Sequence, residues 1–67
     1  MDRYRQLLQL VRSFEEDFRK FYEKQNISAG IRLRKHMQEL RRFAKDVRDE
    51  VQQLRREWRQ EKQQKGE

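Results

Sequence analysis

Residues 33–58, LRKHMQELRRFAKDVRDEVQQLRREW, place apolar side chains at Leu33, Met37, Leu40, Ala44, Val47, Val51, Leu54 and Trp58. The steps alternate four and three without a break. That spacing keeps one stripe on one side of an α-helix and is the pattern of coiled-coil or bundle packing. A half-buried strand needs a period of two, which this stretch lacks. Upstream, Tyr4, Leu7, Val11, Phe14, Phe18 and Phe21 keep the same rhythm. The fold class expected is therefore all-α, with two helices.

Between the stripes lies Gln25-Asn26-Ile27-Ser28. Asn and Ser side chains accept hydrogen bonds from the unpaired N–H groups of a first helical turn; either could start the second helix, and Asn26 is the better placed. The spacing predicts helices over about 2–24 and about 27–62, with a disordered tail at 63–67. A connection this short makes the helices antiparallel neighbours, a hairpin with a longer second helix. At ~1.5 Å per residue the helices measure roughly 35 and 54 Å, so the first covers the second only to about Arg48–Val51. Val47, Val51, Leu54 and Trp58 are then the candidate dimer interface, because large exposed apolar patches mark contacts. Leu8, Leu10, Tyr22 and Phe43 widen the stripes, which suits a homodimer built by coiled-coil or four-helix-bundle packing. With Leu33 at heptad position d, Glu50 and Glu57 fall at g while Arg55 and Lys62 fall at e. Those charges lean toward a parallel dimer.

The chain has 67 residues, 18 Lys and Arg against 12 Asp and Glu, one His and no Cys, for a net charge of +6. The excess is uneven. Residues 1–25 carry six basic and five acidic side chains, whereas residues 26–62 carry eleven and six. An anionic partner for the second helix follows. Absence of cysteine removes a disulfide framework and any Cys/His metal site, so no cofactor or metal is expected. Catalytic residues are not expected either. Glu15-Glu16-Asp17 fan out around a helix instead of converging, and neither Ser13 nor Ser28 has a local His partner. No apolar run resembles a leader or a membrane span, which points to the cytoplasm and to no membrane or small-molecule partner.

Arg34, Arg41, Arg48 and Arg55 recur every seven residues at position e, flanked by Lys35, Arg42, Lys45, Arg56 and Arg59. Some of these have acids within helical reach: Lys35 with Glu39, Arg42 with Asp46, Lys45 with Asp49. Arg34, Arg41, Arg48, Arg55, Arg56 and Arg59 have none three or four residues away. On the first helix, Glu15 and Asp17 fall where the hairpin would face Arg41 and His36. Together with Arg32, these ten basic residues form a candidate DNA-binding face, since guanidinium forks match phosphate oxygens.

The run FEEDFRKFYEKQNISAGIRLRKHMQELRRFAKDVRDEV resembles the bacterial linker-histone-like family, short relatives of the chlamydial histone-like protein. The matching positions are the aromatic Phe14, Phe18, Phe21 and Tyr22, then Asn26, Ala29, Gly30, Arg32, Arg34 and Lys35, then Leu40, Ala44, Arg48 and Glu50. The resemblance implies DNA binding and chromosome condensation at the nucleoid. Chlamydial members continue into a long Lys/Ala/Pro-rich tail, whereas residues 60–67 here are near neutral. The folded helices are thus expected to carry the binding.

The function expected is that of a histone-like, nucleoid-associated protein that binds double-stranded DNA without strong sequence preference. The alternative is a coiled-coil protein–protein interaction module with no nucleic-acid role. An amphipathic membrane peptide is a third reading, weakened by the narrow apolar stripe of the second helix. Gly30 lies on that stripe and is expected to admit a close approach of Phe21 or Tyr22.

Overall fold

The chain reverses at two residues that do different work. Gln25 adopts a left-handed conformation (φ 54°, ψ 36°) that stops the preceding helix, and the Asn26 N–H closes back on the Lys20 carbonyl at 3.0 Å. The Asn26 side chain then caps the next helix, its Oδ1 accepting the Ala29 N–H at 3.1 Å. Of the two candidate caps, Asn26 is the one used. The computed structural model describes residues 2–64, with side chains placed through Gln60. It contains α1 (Asp2–Ser13), α2 (Glu15–Lys24) and α3 (Ile27–Gln64), and no strand among the described residues. Of the segment read as a disordered tail, Gln63 and Gln64 continue α3, and residues 65–67 lie outside the described residues.

The helix expected over 2–24 is interrupted at Phe14. The Ser13 hydroxyl donates to the Leu10 carbonyl at 2.6 Å, the acceptor that the Phe14 N–H would use in an unbroken helix. That N–H bonds instead to Val11, three residues back, at 3.0 Å. Local competition of this kind is why serine tightens or bends helices. The helical course resumes at once, with Phe18 N–H bonded to the Phe14 carbonyl.

Contacts between the two arms run in reverse order along the chain. Phe21 meets Gly30, Asp17 meets Arg32 and His36, Phe14 stacks on His36, and Arg3 meets Glu50. This order sets α1 and α2 antiparallel to α3. The 38 residues of α3 give a rod of ~57 Å, which accounts for the 60 Å long dimension of the molecule.

The packed stripes differ by one position from those read in the sequence. On α3 the inward edge is Ala29, Leu33, His36, Leu40, Phe43, Val47, Glu50 and Leu54, all buried or half-buried. It shares Leu33, Leu40, Val47 and Leu54 with the expected stripe but leaves Met37, Ala44, Val51 and Trp58 exposed. On α1 and α2 the inward residues are Arg3, Leu7, Leu10, Phe14 and Asp17, whereas Tyr4, Val11 and Phe18 point outward. The shift has a physical cause. Both helices carry two adjacent apolar stripes, and the inner ones are completed by polar groups (Arg3, Asp17, His36, Glu50) that pair across the contact. Hydropathy alone does not count such residues as core.

Only Phe14, Ala29 and Leu33 are buried among the described residues, and they cluster at the turn end. Here Gly30 admits the Phe21 ring to close approach. A Cβ on it would lie 2.6 Å from Phe21 Cε1 and 2.7 Å from Cδ1. Glycine costs ~1 kcal/mol in helix propensity, and the ring contact is what that cost permits. Replacing Gly30 with Leu should displace Phe21 and lower stability by about 2 kcal/mol, in the range for overpacking. Thermal unfolding followed by circular dichroism measures this, and an unchanged midpoint contradicts the close-approach account.

Candidate nucleic-acid interface

Asp17 lies on the inward side of α2 with its side chain 14% exposed. One carboxylate oxygen accepts from His36 Nε2 at 2.8 Å and the other from Arg32 Nε at 2.9 Å. The His36 ring stacks on Phe14, centroids 4.6 Å apart and planes 24° apart. Its Nδ1 has no hydrogen-bond partner. Two donors on one carboxylate hold Asp17 below its ordinary pKa, the His36 hydrogen bond contributing most and Arg32 next.

At the other end Arg3 reaches Glu50, its Nη2 3.3 Å from Oε2, while its guanidinium lies 5.5 Å over the Phe43 ring. Both pairings fall on one flank of α3, occupied by Arg32, His36, Glu39, Asp46 and Glu50. The Glu50 pairing removes one acid from the parallel-dimer reading, because Glu50 faces the protein's own α1.

The opposite flank is different. Arg34, Arg41, Arg48 and Arg55 stand on it at seven-residue spacing, every one exposed. Beside them lie Lys35, Arg42, Lys45, Arg56 and Arg59, also exposed. Among the described residues, Lys45 alone of these nine takes part in an ion pair, to Asp49 at 2.9 Å. That contact raises the Lys45 pKa. The pairs available by spacing, Lys35 with Glu39 and Arg42 with Asp46, do not form. Glu15 pairs with Arg19 on its own helix and does not reach Arg41.

The ten candidate residues therefore separate. Seven share the open flank, Lys35 and Arg42 border the acidic flank four residues before Glu39 and Asp46, and Arg32 belongs to the clasp with Asp17. Sequence reasoning placed Asp17 opposite His36 but missed Arg32 as its second donor. The signal was available: Arg32 sits four residues before His36, on the same side of the helix. Among the expected dimer residues, Val47 and Leu54 are half-buried toward α1, while Val51 and Trp58 are exposed.

The apolar side chains left outside the packed edge gather on one face. Phe18, Phe21 and Tyr22 of α2 and Ile27, Gly30, Ile31 and Met37 of α3 line an open groove of about 440 Å³ beside the turn. Arg34 stands at its rim. No helix among the described residues is long and apolar enough to cross a membrane.

Residues 1–57 match the family described as Histone H1-like protein Hc1, which spans α1, α2 and most of α3. The chain belongs to this family. Its members are non-enzymatic DNA-binding proteins of the nucleoid, in keeping with a cation-rich helix. No curated protein and no solved structure matches the chain.

The clasp makes a pH-dependent prediction. A carboxylate whose pKa is lowered by folding contributes stability that is complete above its ordinary value and lost as pH falls through the lowered one. For Asp17 the ordinary value is 3.8. Replacement with Asn should lower the unfolding midpoint at pH 7, and the gap from the parent protein should close as pH drops below that value. Thermal unfolding at pH 7 and at about pH 2 tests this; an equal gap at both pH values contradicts it.

Proposed function

We propose that the protein is a bacterial histone-like, nucleoid-associated protein. It binds duplex DNA largely without sequence specificity through the basic flank of α3, and so helps to compact or organise the chromosome as a homodimer of helical hairpins. The observation that carries this reading is the exposed column Arg34, Arg41, Arg48 and Arg55, unpaired among the described residues. Seven helical residues rise ~10.5 Å with a drift of ~20°, so the column presents a slowly winding row of forks that meets phosphates and reads no base edges. Lys35, Arg42, Arg56 and Arg59 broaden the row, and Lys45 joins it when Asp49 is displaced. Arg32 is better described as a fold residue that shares the edge of this surface.

Family membership supports the DNA partner, and the unpaired column supports α3 as the side that meets it. A protein–protein module is the second reading, and the open apolar face favours it. That face is also what a homodimer requires, so it does not compete with the basic flank for an explanation.

Binding of mixed-sequence duplex DNA should weaken steeply with salt. If about six phosphates are contacted, log K against log salt has a slope of roughly −5. Replacing Arg34, Arg41, Arg48 and Arg55 together with Gln should flatten the slope by about four, near one per lost phosphate contact. Replacing Arg5 and Arg12 should change it little. Gel shift across a salt series, with folding checked by circular dichroism, measures both. A slope near zero for the parent protein, or full affinity in the fourfold variant, contradicts the reading.

A further inference from the structure

One stripe of α3, exposed apart from the half-buried Gly30, has its smallest side chain at one end and its largest at the other. Its members are Gly30, Met37, Ala44, Val51 and Trp58, seven residues apart. Ala44 is the centre, Met37 and Val51 are equidistant from it, and the smallest member, Gly30, mirrors the largest, Trp58. Reversing the stripe and laying it on itself places large opposite small at each end.

The two ends are also differently furnished. At Gly30 the stripe opens into the groove of about 440 Å³ walled by Phe18, Phe21, Tyr22, Ile31 and Met37. At Trp58 it has no wall. Arg3 reaches Glu50 and Leu54 lines the last hollow beside α1, so the chain's own first arm ends short of Trp58, which is 55% exposed.

We propose that a second copy of this chain packs α3 against α3 in antiparallel fashion, with Ala44 on the two-fold axis. Trp58 of each protomer then sits in the groove at Gly30 of the other. The pairing brings the two arginine columns side by side as one phosphate-binding surface.

Area supports a second copy as the occupant. Nine large hydrophobic side chains (Tyr4, Leu8, Val11, Phe18 and Tyr22; Ile31, Met37, Val51 and Trp58) each remain at least 36% exposed. At ~200 Å² per large side chain and about half exposure, they offer on the order of 900 Å². A stable interface removes ~800 Å² from each partner. The other two-fold arrangement, with its axis along the helices, keeps every residue at its own height. It sets α1 and α2 of the partner against α3 and leaves Trp58 beyond their end, uncovered.

Charge completes the inference and rests on the DNA-binding reading above. Position e lies next to the open stripe on α3. Antiparallel pairing about Ala44 therefore puts both columns on the same side of the dimer, with Arg41 near Arg48 of the partner and Arg34 near Arg55. Unscreened, these like charges oppose association; salt or a bound polyanion relieves them. Dimerisation is thus coupled to DNA binding, and one continuous strip of eight arginines serves the duplex.

Because the chain has no cysteine, single-cysteine variants report the packing directly. Full-length A44C, M37C and V51C, each shown to be folded, are oxidised with and without mixed-sequence duplex DNA and run on non-reducing gels. A disulfide needs Cα atoms within about 7 Å. The proposal expects A44C to cross-link to a dimer, more completely with DNA or raised salt. M37C and V51C should fail alone but cross-link when mixed. M37C or V51C cross-linking alone as readily as A44C would overturn the packing, as would A44C staying monomeric while DNA is bound. That last result leaves the DNA-binding reading intact. A44C cross-linking without any DNA affinity overturns that reading and the merged surface, and leaves the packing.

Discussion

Asp17 accepts hydrogen bonds from His36 and Arg32 at 2.8 and 2.9 Å, and that contact determines which edge of α3 is covered. Both arms carry apolar side chains at more positions than one seam can use, so hydrophobic burial alone would tolerate a rotation of α3 by one heptad position. The Asp17 carboxylate resists it, since a rotation would cost a side chain only 14% exposed both of its donors. Asp17 near the turn and Arg3 with Glu50 at the far end pin the rotation at two points. The arginine column is exposed as a consequence. With α2 packed on the edge of Leu33 and His36, position e lies on the far side of α3, beyond the reach of the acids on α1 and α2.

The helices were legible in the sequence because their apolar steps alternate three and four over long runs, and because Asn26 is a strong cap. Gly30 was legible too, as a small residue on a stripe of large ones. The interruption at Phe14 was not, since it depends on one serine hydroxyl capturing one carbonyl. The packed edge was misread by one position for a related reason. Two of the eight residues that fill it on α3 are polar, and His36 or Glu50 counts as core only when its partner on the other arm is known. The basic column stood out because no acid lies within helical reach of its members. Arg32 was placed with it because its own charge was counted and its position, four residues before His36 and so within reach of the same carboxylate, was not.

Charge is segregated on α3. α3 carries its carboxylates mainly on the flank that packs toward α1 and α2, apart from Asp49, and its unpaired arginines on the other. A helix with both signs interspersed would have the same composition and a much weaker field. The Histone H1-like protein Hc1 family match covers residues 1–57 and so includes Arg34, Arg41, Arg48 and Arg55. The apolar face beside the column gives the molecule a second surface, and the core it would complete is small: among the described residues, three are buried, at one end of a 60 Å rod. A chain of this size gains much from a partner.

The most direct measurement is nuclear magnetic resonance of the arginine Nε–H groups during titration with a mixed-sequence duplex. Each guanidinium reports its own hydrogen bonding, so the flanks of α3 are read separately in one sample. The account predicts that Arg34, Arg41, Arg48 and Arg55 shift together and recover when salt is raised, while Arg3 and Arg32 stay at their free positions. Shifts confined to Arg3 and Arg32, with the column silent, would contradict it.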